Sequence, residues 1–323
     1  MNDHSLRGSR YSRRDFGKLA VATLVPAWLS PRLLAGGSEI NGVQVGAITY
    51  SFRSISDPAA IIKAMVQIGL GEAEVMSNHV EALAGAPSGR AAGPGGGGGR
   101  GAATPEQQAA QQAAQAELRK WRLASSPSIF KAVAKKFTDN DIEIALLCYN
   151  MNRNTADDEI EYAFQMAKAL GAKAISTSTQ VSVSKRVAPF ADKHKMMVGY
   201  HGHSNITDPD EFATPESFAT AISYSKFHGI NLDIGHFTAA NFDALAYLQA
   251  NHARITNLHL KDRKKNQGPN VPWGEGDTPI KEVLQLLKRT KWKIPANIEY
   301  EYPGQDAQAE VAKCFRYCKE ALA

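Results

Sequence analysis

The sequence predicts a single (β/α)₈ barrel, a TIM barrel of the α/β class. The chain has 323 residues, and such a barrel takes roughly 250, so one domain with additional segments accounts for the length. Short β-branched or apolar runs alternate with amphipathic segments, which is typical of parallel βα units. The runs that qualify as strands are enough to close a barrel, and they are residues 43–50, 72–76, 143–149, 172–178, 197–203, 231–236, 255–261 and 296–302.

The segments between these runs carry helical periodicity. Residues 157–170 place apolar side chains three and four positions apart, and Gly171 follows as a stop signal. Residues 280–287 and 309–322 show the same spacing, and a further helix is expected around residues 121–137. Helices thus separate the predicted strands, as a parallel barrel requires.

The first 36 residues have the features of an export signal. Ser12-Arg13-Arg14-Asp15-Phe16-Gly17-Lys18 precedes an apolar stretch over residues 19–34, which is typical of a twin-arginine signal peptide. Pro26 and Pro31 interrupt that stretch, which is poor for spanning ~30 Å of hydrocarbon. We therefore expect a periplasmic or otherwise exported protein that meets the membrane only through an uncleaved leader, with residues 37–323 as the barrel domain.

Residues 86–116 interrupt the barrel pattern. They are almost wholly Gly, Ala, Gln and Pro, including the run Gly95–Gly99, and such a composition cannot bury a core. Their position after the second strand places them in a βα loop, on the face where barrel active sites lie. We expect a solvated loop here, with a lid as the alternative.

The net charge narrows the choice of partners. The formal charge is +5, and the first 36 residues contribute +4 of it through six basic and two acidic side chains. The predicted barrel is therefore about neutral, whereas a nucleic-acid-binding domain carries a basic patch or groove. The composition thus favours a small-molecule partner over nucleic acid.

Polar side chains gather at the predicted carboxyl ends of the last four strands, where barrel active sites lie. Because strand side chains alternate with a period of two, residues two apart share a face. In Tyr200-His201-Gly202-His203 the two histidines therefore face inward, and Tyr200 faces the helices. By the same rule the inward-facing polar residues of the last three strands are Asp233, His259, Lys261, Glu299 and Glu301.

These residue types match the ligands of a divalent cation. Imidazole and carboxylate groups without cysteine suit Mn, Mg, Co or Zn, with open positions for substrate oxygens. Taken singly, each residue is better explained as a satisfied core histidine or a helix cap. Together they would leave several ionisable groups uncompensated in one barrel mouth, which is costly. A bound cation would compensate the whole group.

Three motifs resemble the xylose isomerase-like sugar phosphate isomerase/epimerase superfamily: Leu232-Asp233-Ile234-Gly235-His236, Leu258-His259-Leu260-Lys261-Asp262 and Ile298-Glu299-Tyr300-Glu301. The resemblance runs from about residue 43 to the C-terminus, without the Gly-rich segment. It implies a metal held by side chains from strands five to eight. The positions that match the family's ligands are His201, Asp233, His259 and Glu299.

The resemblance also implies roles for the neighbouring residues. His201 stands where the epimerases have a glutamate that is both ligand and base, which is a departure from the two-glutamate pattern. Either Glu299 or Glu301 could reach the metal, and we favour Glu299, with its neighbour moving protons. The remaining residues expected at the substrate are His203, His236 and Lys261, with Asp262 lining the same mouth.

One loop allows two interpretations. Trp273-Gly274-Glu275-Gly276-Asp277 resembles a glycine-rich turn that borders the substrate in similar proteins. It is equally compatible with a tight turn before the helix that begins at Ile280.

The function implied is metal-dependent isomerisation or epimerisation of a carbohydrate by proton transfer next to a metal-bound carbonyl or hydroxyl. The export signal favours a free sugar or sugar derivative over a phosphorylated metabolite. Two alternatives stay open on the same barrel: a lyase or hydrolase acting on a keto-glycoside, and a non-catalytic sugar-binding protein. The related abasic-site endonucleases would need a basic groove for phosphates. A homo-oligomer is compatible with the sequence.

Overall fold

A computed structural model describes residues 38–89, 104–304 and 306–323. Within these ranges, eight parallel strands pair in chain order, and the first also pairs with the last, so the sheet closes into the predicted barrel. A two-residue strand, Glu39–Ile40, pairs antiparallel with the first of them. The barrel strands are β1 Val43–Ile48, β2 Glu72–Met76, β3 Glu143–Cys148, β4 Ala174–Thr177, β5 Met197–His201, β6 His228–Asp233, β7 Ile255–Leu260 and β8 Ala296–Ile298.

Helices connect the strands around the outside. None of the described helices has the length and apolar character that crossing a membrane requires. The predicted signal peptide, residues 1–36, lies outside the described residues. The helices are α1 Pro58–Ile68, α2 Ser77–Leu83, α3 Pro105–Ala124, α4 Pro127–Thr138, α5 Asp157–Leu170, α6 Val181–His194, α7 Pro215–Tyr224, α8 Ile234–Ala239, α9 Ala244–Asn251, α10 Ile280–Thr290 and α11 Ala307–Leu322.

Local signals in the sequence set the ends of these helices. Asp57 caps α1 by accepting a hydrogen bond from the backbone N–H of Ala59, and Pro58 supplies the first turn. Helix α5 has the bounds that its periodicity predicts, and it ends at Gly171 with a φ of 77°, a left-handed value that glycine adopts without strain. Its apolar face packs into the layer between helices and barrel.

The sixth strand differs from its prediction. Residues 234–236 are not strand, because α8 begins directly after Asp233. Oδ1 of Asp233 accepts a hydrogen bond of 2.7 Å from the backbone N–H of His236, so this residue is both the end of β6 and the N-cap of α8. Gly235 permits the close packing that follows, since a Cβ there would lie 2.6 Å from the carbonyl oxygen of Lys261.

The expectation of a solvated loop over residues 86–116 is wrong for its second half. Residues 105–116 belong to α3, whose Thr104 forms a capping box with Gln107. Leu118 of this helix is buried, and Trp121 packs edge-on against Phe130 of α4. The helix expected around residues 121–137 is therefore the end of α3 followed by α4, and residues 90–103 lie outside the described residues.

Candidate metal centre

Four side chains from neighbouring strands meet at the carboxyl end of the barrel. They are His201, Asp233, His259 and Glu299, and one ligand atom from each lies within 4.8 Å of all the others. Register accounts for part of this, because β6 pairs with β7 so that Asp233 stands beside His259. Strand β8 ends at Ile298, so Glu299 lies immediately after the strand. All four side chains are buried.

One buried imidazole nitrogen of this cluster has unused ligand capacity. Nδ1 of His201 makes no hydrogen bond within the described part of the chain, whereas Oδ2 of Asp233 lies 3.1 Å from the ammonium of Lys261. Burial lowers the pKa of His201 well below its ordinary value, and the charge on His259 adds to this, so the imidazole is neutral, the form that binds a metal. Buried polar atoms without partners are uncommon, and a cation here would give the His201 nitrogen its partner. The donor set therefore fits a divalent ion.

The charges around the cluster also favour a bound cation. Asp233, Glu299 and Glu301 surround the ammonium of Lys261 at 3.1, 2.9 and 2.6 Å. Burial opposes the charge on Lys261, but the three carboxylates outweigh it and raise its pKa. Burial raises the pKa of Asp233 to about 6 in spite of this neighbour. Three carboxyl groups share one lysine, which leaves negative potential for a further cation.

His259 is held between two carboxylates. Its Nδ1 lies 3.1 Å from Oε2 of Glu299, and its Nε2 lies 2.7 Å from Oε2 of Glu74 on β2. Burial opposes protonation, but Glu74 and Glu299 outweigh it and raise the pKa of His259. A hydrogen bond from Nε2 to Glu74 leaves Nδ1 facing the cluster, which is how carboxylates orient metal-binding histidines.

Glu74 is a site residue that the sequence interpretation missed. Besides His259, its carboxylate accepts hydrogen bonds from Asn257 at 2.8 Å, from Asn297 at 3.0 Å and from the hydroxyl of Ser176. The side chain is fully buried. A signal was present, because Glu72-Ala73-Glu74-Val75 places two acids on one face of a buried strand.

Glu299 and Glu301 occupy different positions although they share a face. Glu299 is buried within the four-residue cluster. Glu301 lies farther out, with its side chain 21% exposed, and contacts Lys261. This arrangement places Glu299 with the candidate ligands and leaves Glu301 facing the cavity.

His203 and His236 lie beside the cluster. Their ring centroids are 5.3 Å apart, and the ring of His203 lies 4.9 Å from that of His201. Nδ1 of His203 contacts the carboxylate of Glu211, a partner that the motifs did not reveal. Burial lowers the pKa of His236, and the nearby charge of Lys261 adds to this. Nη1 of Arg263 donates to Nδ1 of the neutral His236 ring across 2.7 Å.

Asp262 does not line the mouth, contrary to expectation. It follows Lys261 directly, so its side chain points the other way. Its carboxylate accepts hydrogen bonds from the backbone N–H groups of Gly274 and Gly276 at 2.8 and 3.0 Å. It therefore ties down the tight turn before α10, and Trp273 of that loop lines a separate cavity.

A cavity of about 460 Å³ opens above the cluster. This volume is in the usual range for small-molecule sites. The predicted residues His203, His236, Lys261 and Glu301 all contribute to its wall. The other lining residues are Ile48, Tyr50, Met76, Cys148, Asn150, Ser178, His201, Asn231, His259 and Glu299.

Comparison with known proteins agrees with this fold. The L-ribulose-5-phosphate 3-epimerase UlaE of Escherichia coli O1:K1 is 23% identical over 218 residues, which are 59% of this chain and 77% of that protein. The probable 3-DHS dehydratase AsbF of Bacillus anthracis superposes with a TM-score of 0.59 at 16% identity, covering 84% of this chain and 97% of that one. The IolI protein, solved with a bound zinc atom, gives 0.59 at 13% identity, with 86% and 97% covered.

A family model also matches most of the barrel. The model of the xylose isomerase-like TIM barrel covers residues 108–318, from helix α3 to helix α11. The match includes all four strand ends that carry the candidate ligands. The chain therefore belongs to the xylose isomerase-like TIM barrel family.

Proposed function

We propose that this chain is a metal-dependent sugar isomerase or epimerase that acts on a free sugar or sugar derivative. The observation that carries the proposal is the buried cluster of His201, Asp233, His259 and Glu299 at the base of the cavity. The similar protein of Escherichia coli is a sugar phosphate epimerase, which supports carbohydrate chemistry. A divalent cation held there would polarise a carbonyl or hydroxyl oxygen of the sugar.

The surrounding residues would bind the sugar and move its protons. Lys261, whose ammonium contacts three carboxylates, would hold Glu299 and Glu301 in position beneath the sugar. Glu301 faces the cavity and would accept a proton from the carbon next to a polarised carbonyl. His203 lies on the β5 side with Glu211 behind it, and would act as the second proton-transfer group.

The position of the carboxylates bears on the type of reaction. Both cavity glutamates, Glu299 and Glu301, come from the segment after β8, and the β5 side offers His201 and His203 instead. Isomerisation between adjacent carbons needs one base on one side of the sugar, and so does elimination of a glycosidic oxygen. Epimerisation needs a partner on the opposite face, which would have to be His203. The arrangement therefore keeps a keto-glycoside lyase as the second candidate.

The cavity favours an uncharged sugar over a sugar phosphate. Among the described residues that line it, Lys261 is the one lysine or arginine, and three carboxylates already engage it. A phosphate group would meet no free cation there. This agrees with the proposed twin-arginine export, since an exported enzyme would meet free sugars and glycosides.

Metal analysis together with product profiling tests the proposal. The wild type should hold about one divalent ion per chain, and Asp233→Ala and His259→Ala should lose it. Asp139→Ala is the matched control, because Asp139 is an exposed residue at the end of α4. Unchanged metal content in both site variants would remove the proposed centre. Metal and sugar binding without turnover of any sugar or keto-glycoside would indicate a non-catalytic sugar-binding protein.

A further inference from the structure

A second cavity adjoins the first on the same face of the barrel. Its volume is about 510 Å³, and Met76 and Asn150 line both cavities. Its walls are α3, the start of α2 and the loop that follows β3. No candidate metal ligand and no proposed proton-transfer residue belongs to it. A substrate bound at the metal centre could therefore extend past Met76 and Asn150 into this space.

The wall formed by α3 is held firmly in place. Arg122 forms ion pairs of 2.7 Å with Glu81 on α2 and 3.0 Å with Glu159 on α5. Arg119, one turn earlier, pairs with Asp158 and Glu159. The Arg122 pairs are largely buried and the Arg119 pairs are more exposed, and together they link α3 to two helices of the barrel. The segment that the sequence marks as an addition to the barrel thus supplies a fixed side of the cavity.

The same ion pairs make the cavity unsuitable for an anion. Each of the two arginines is matched by carboxylates, and three acids face two guanidinium groups. Free cations that would recognise a phosphate or carboxylate are therefore lacking among the described lining residues. A neutral ligand therefore fits a cavity whose charged side chains are already paired.

The lining is rich in groups that both donate and accept hydrogen bonds. Asn150, Asn152 and Asn154 alternate along the loop after β3, and Asn78 faces them from α2. The side-chain amides of Asn78 and Asn154 make no hydrogen bond to another described residue, so they remain available. Sugar hydroxyls also donate and accept hydrogen bonds, so side-chain amides can pair with them in either role.

One buried group gives independent evidence of a missing partner. Tyr149 is 3% exposed and lines the cavity, and its hydroxyl has no hydrogen-bond partner within the described residues. Buried hydroxyls are usually satisfied, so this one has hydrogen-bonding capacity left over beside the cavity wall.

We propose that this second cavity is a subsite for a second sugar ring, so that the substrate is a glycoside rather than a single sugar. The proposal rests on the proposed function, because it assumes that the first ring binds at the metal centre. Helix α3 and the asparagine loop then set the specificity for the second ring. The amides, the matched charges and the Tyr149 hydroxyl all suit a neutral, polyhydroxylated ring.

Binding of fructose and its glucosides to the metal-loaded, full-length protein tests this. Turanose, maltulose and isomaltulose carry glucose on different hydroxyls of fructose, and calorimetry gives each Kd. At least one of them should bind roughly tenfold more tightly than fructose, the gain expected from one or two net hydrogen bonds. Asn78→Ala with Asn154→Ala, and separately Tyr149→Phe, should remove that gain and leave fructose binding unchanged.

The outcomes separate this inference from the proposed function. The matched control is Asn140→Ala, an exposed asparagine in the turn before β3 at the opposite end of the barrel. Fructose binding with no gain for any glucoside would overturn the subsite alone. Variants that weaken fructose and the glucosides equally would do the same. Failure of every sugar to bind the metal-loaded protein would overturn both proposals.

Discussion

Nε2 of His259 on β7 lies 2.7 Å from Oε2 of Glu74, a buried carboxylate on β2 that is distant in sequence. This contact fixes which nitrogen of His259 faces the candidate metal centre. It joins β2, which supplies none of the candidate ligands, to the strands that do.

Glu74→Gln should weaken divalent metal binding by roughly 10- to 100-fold, the usual effect of removing a carboxylate behind a metal-binding histidine. The neutral amide no longer favours the N–H on Nε2, so Nδ1 is a poorer ligand. Competition with a chelator of known affinity measures the change. Glu72→Gln is the control, because Glu72 shares the strand and the inward face and makes no contact with His259. Equal loss in both variants would contradict the positioning role.

Glu301→Gln should lower kcat by roughly 10²- to 10⁴-fold while leaving metal content unchanged, because the residue faces the cavity outside the four-residue cluster. Solvent deuterium should also cease to enter the sugar. Glu299→Gln should instead lose the metal. Loss of metal in both variants would show that Glu301 also holds the metal, which contradicts its assignment as the proton-transfer residue alone.

Lys261→Met should destabilise the protein in the presence of a chelator by about 3–5 kcal/mol, because it leaves buried carboxylates without their cation. Added divalent metal should recover part of this loss, since it supplies positive charge to the same carboxylates. Urea unfolding with and without metal measures both values. Lys185→Met, an exposed change on α6, should shift stability by less than about 0.5 kcal/mol. A loss that is the same with and without metal would count against shared charge compensation.

Glu72 should make the protein less stable as pH rises. Burial raises its pKa to about 8, and the charges of Glu143 and Glu74 add to this, so the folded protein holds a proton that the unfolded chain releases near 4.5. The free energy of unfolding should therefore fall between about pH 4.5 and pH 8, by up to about 5 kcal/mol if the whole shift is realised.

Glu72→Gln should remove this part of the pH dependence, because the amide is neutral in both states. Denaturant unfolding of the wild type and the variant at several pH values is the measurement. The variant should be the more stable of the two near pH 8, and a wild-type curve that runs parallel to it would show that Glu72 is ionised in the fold.

Periodicity was sufficient to predict the barrel and which residues converge. The period of two in Tyr200-His201-Gly202-His203 and Leu258-His259-Leu260-Lys261 depends on backbone geometry alone, so it carries over to the structure directly. Glu74 was missed because its partner is distant in sequence, and no local pattern pairs β2 with β7. Asp262 was misplaced because its role depends on a turn that begins twelve residues later.

Two other differences arose from local chemistry that competes with strand or loop patterns. The apolar run after Asp233 suggested a longer strand, but the N-cap hydrogen bond to His236 ends β6 there. The Ala- and Gln-rich part of α3 forms a helix although its composition, which buries little, predicts a loop. Alanine and glutamine nevertheless have high helix propensity, and Thr104 and Pro105 are start signals.

The junction at Asp233 limits how similar barrels can diverge. Strand and helix meet at a single residue there, with no connecting segment to lengthen, so an inserted or deleted residue would displace a candidate ligand along with the helix it caps. Changes in chain length should accumulate on the rim after β2 instead, where α3 was accommodated without disturbing the metal-facing strands. Substrate selectivity would then evolve on the α3 side of the barrel mouth, while the strands that carry the candidate ligands stay unchanged.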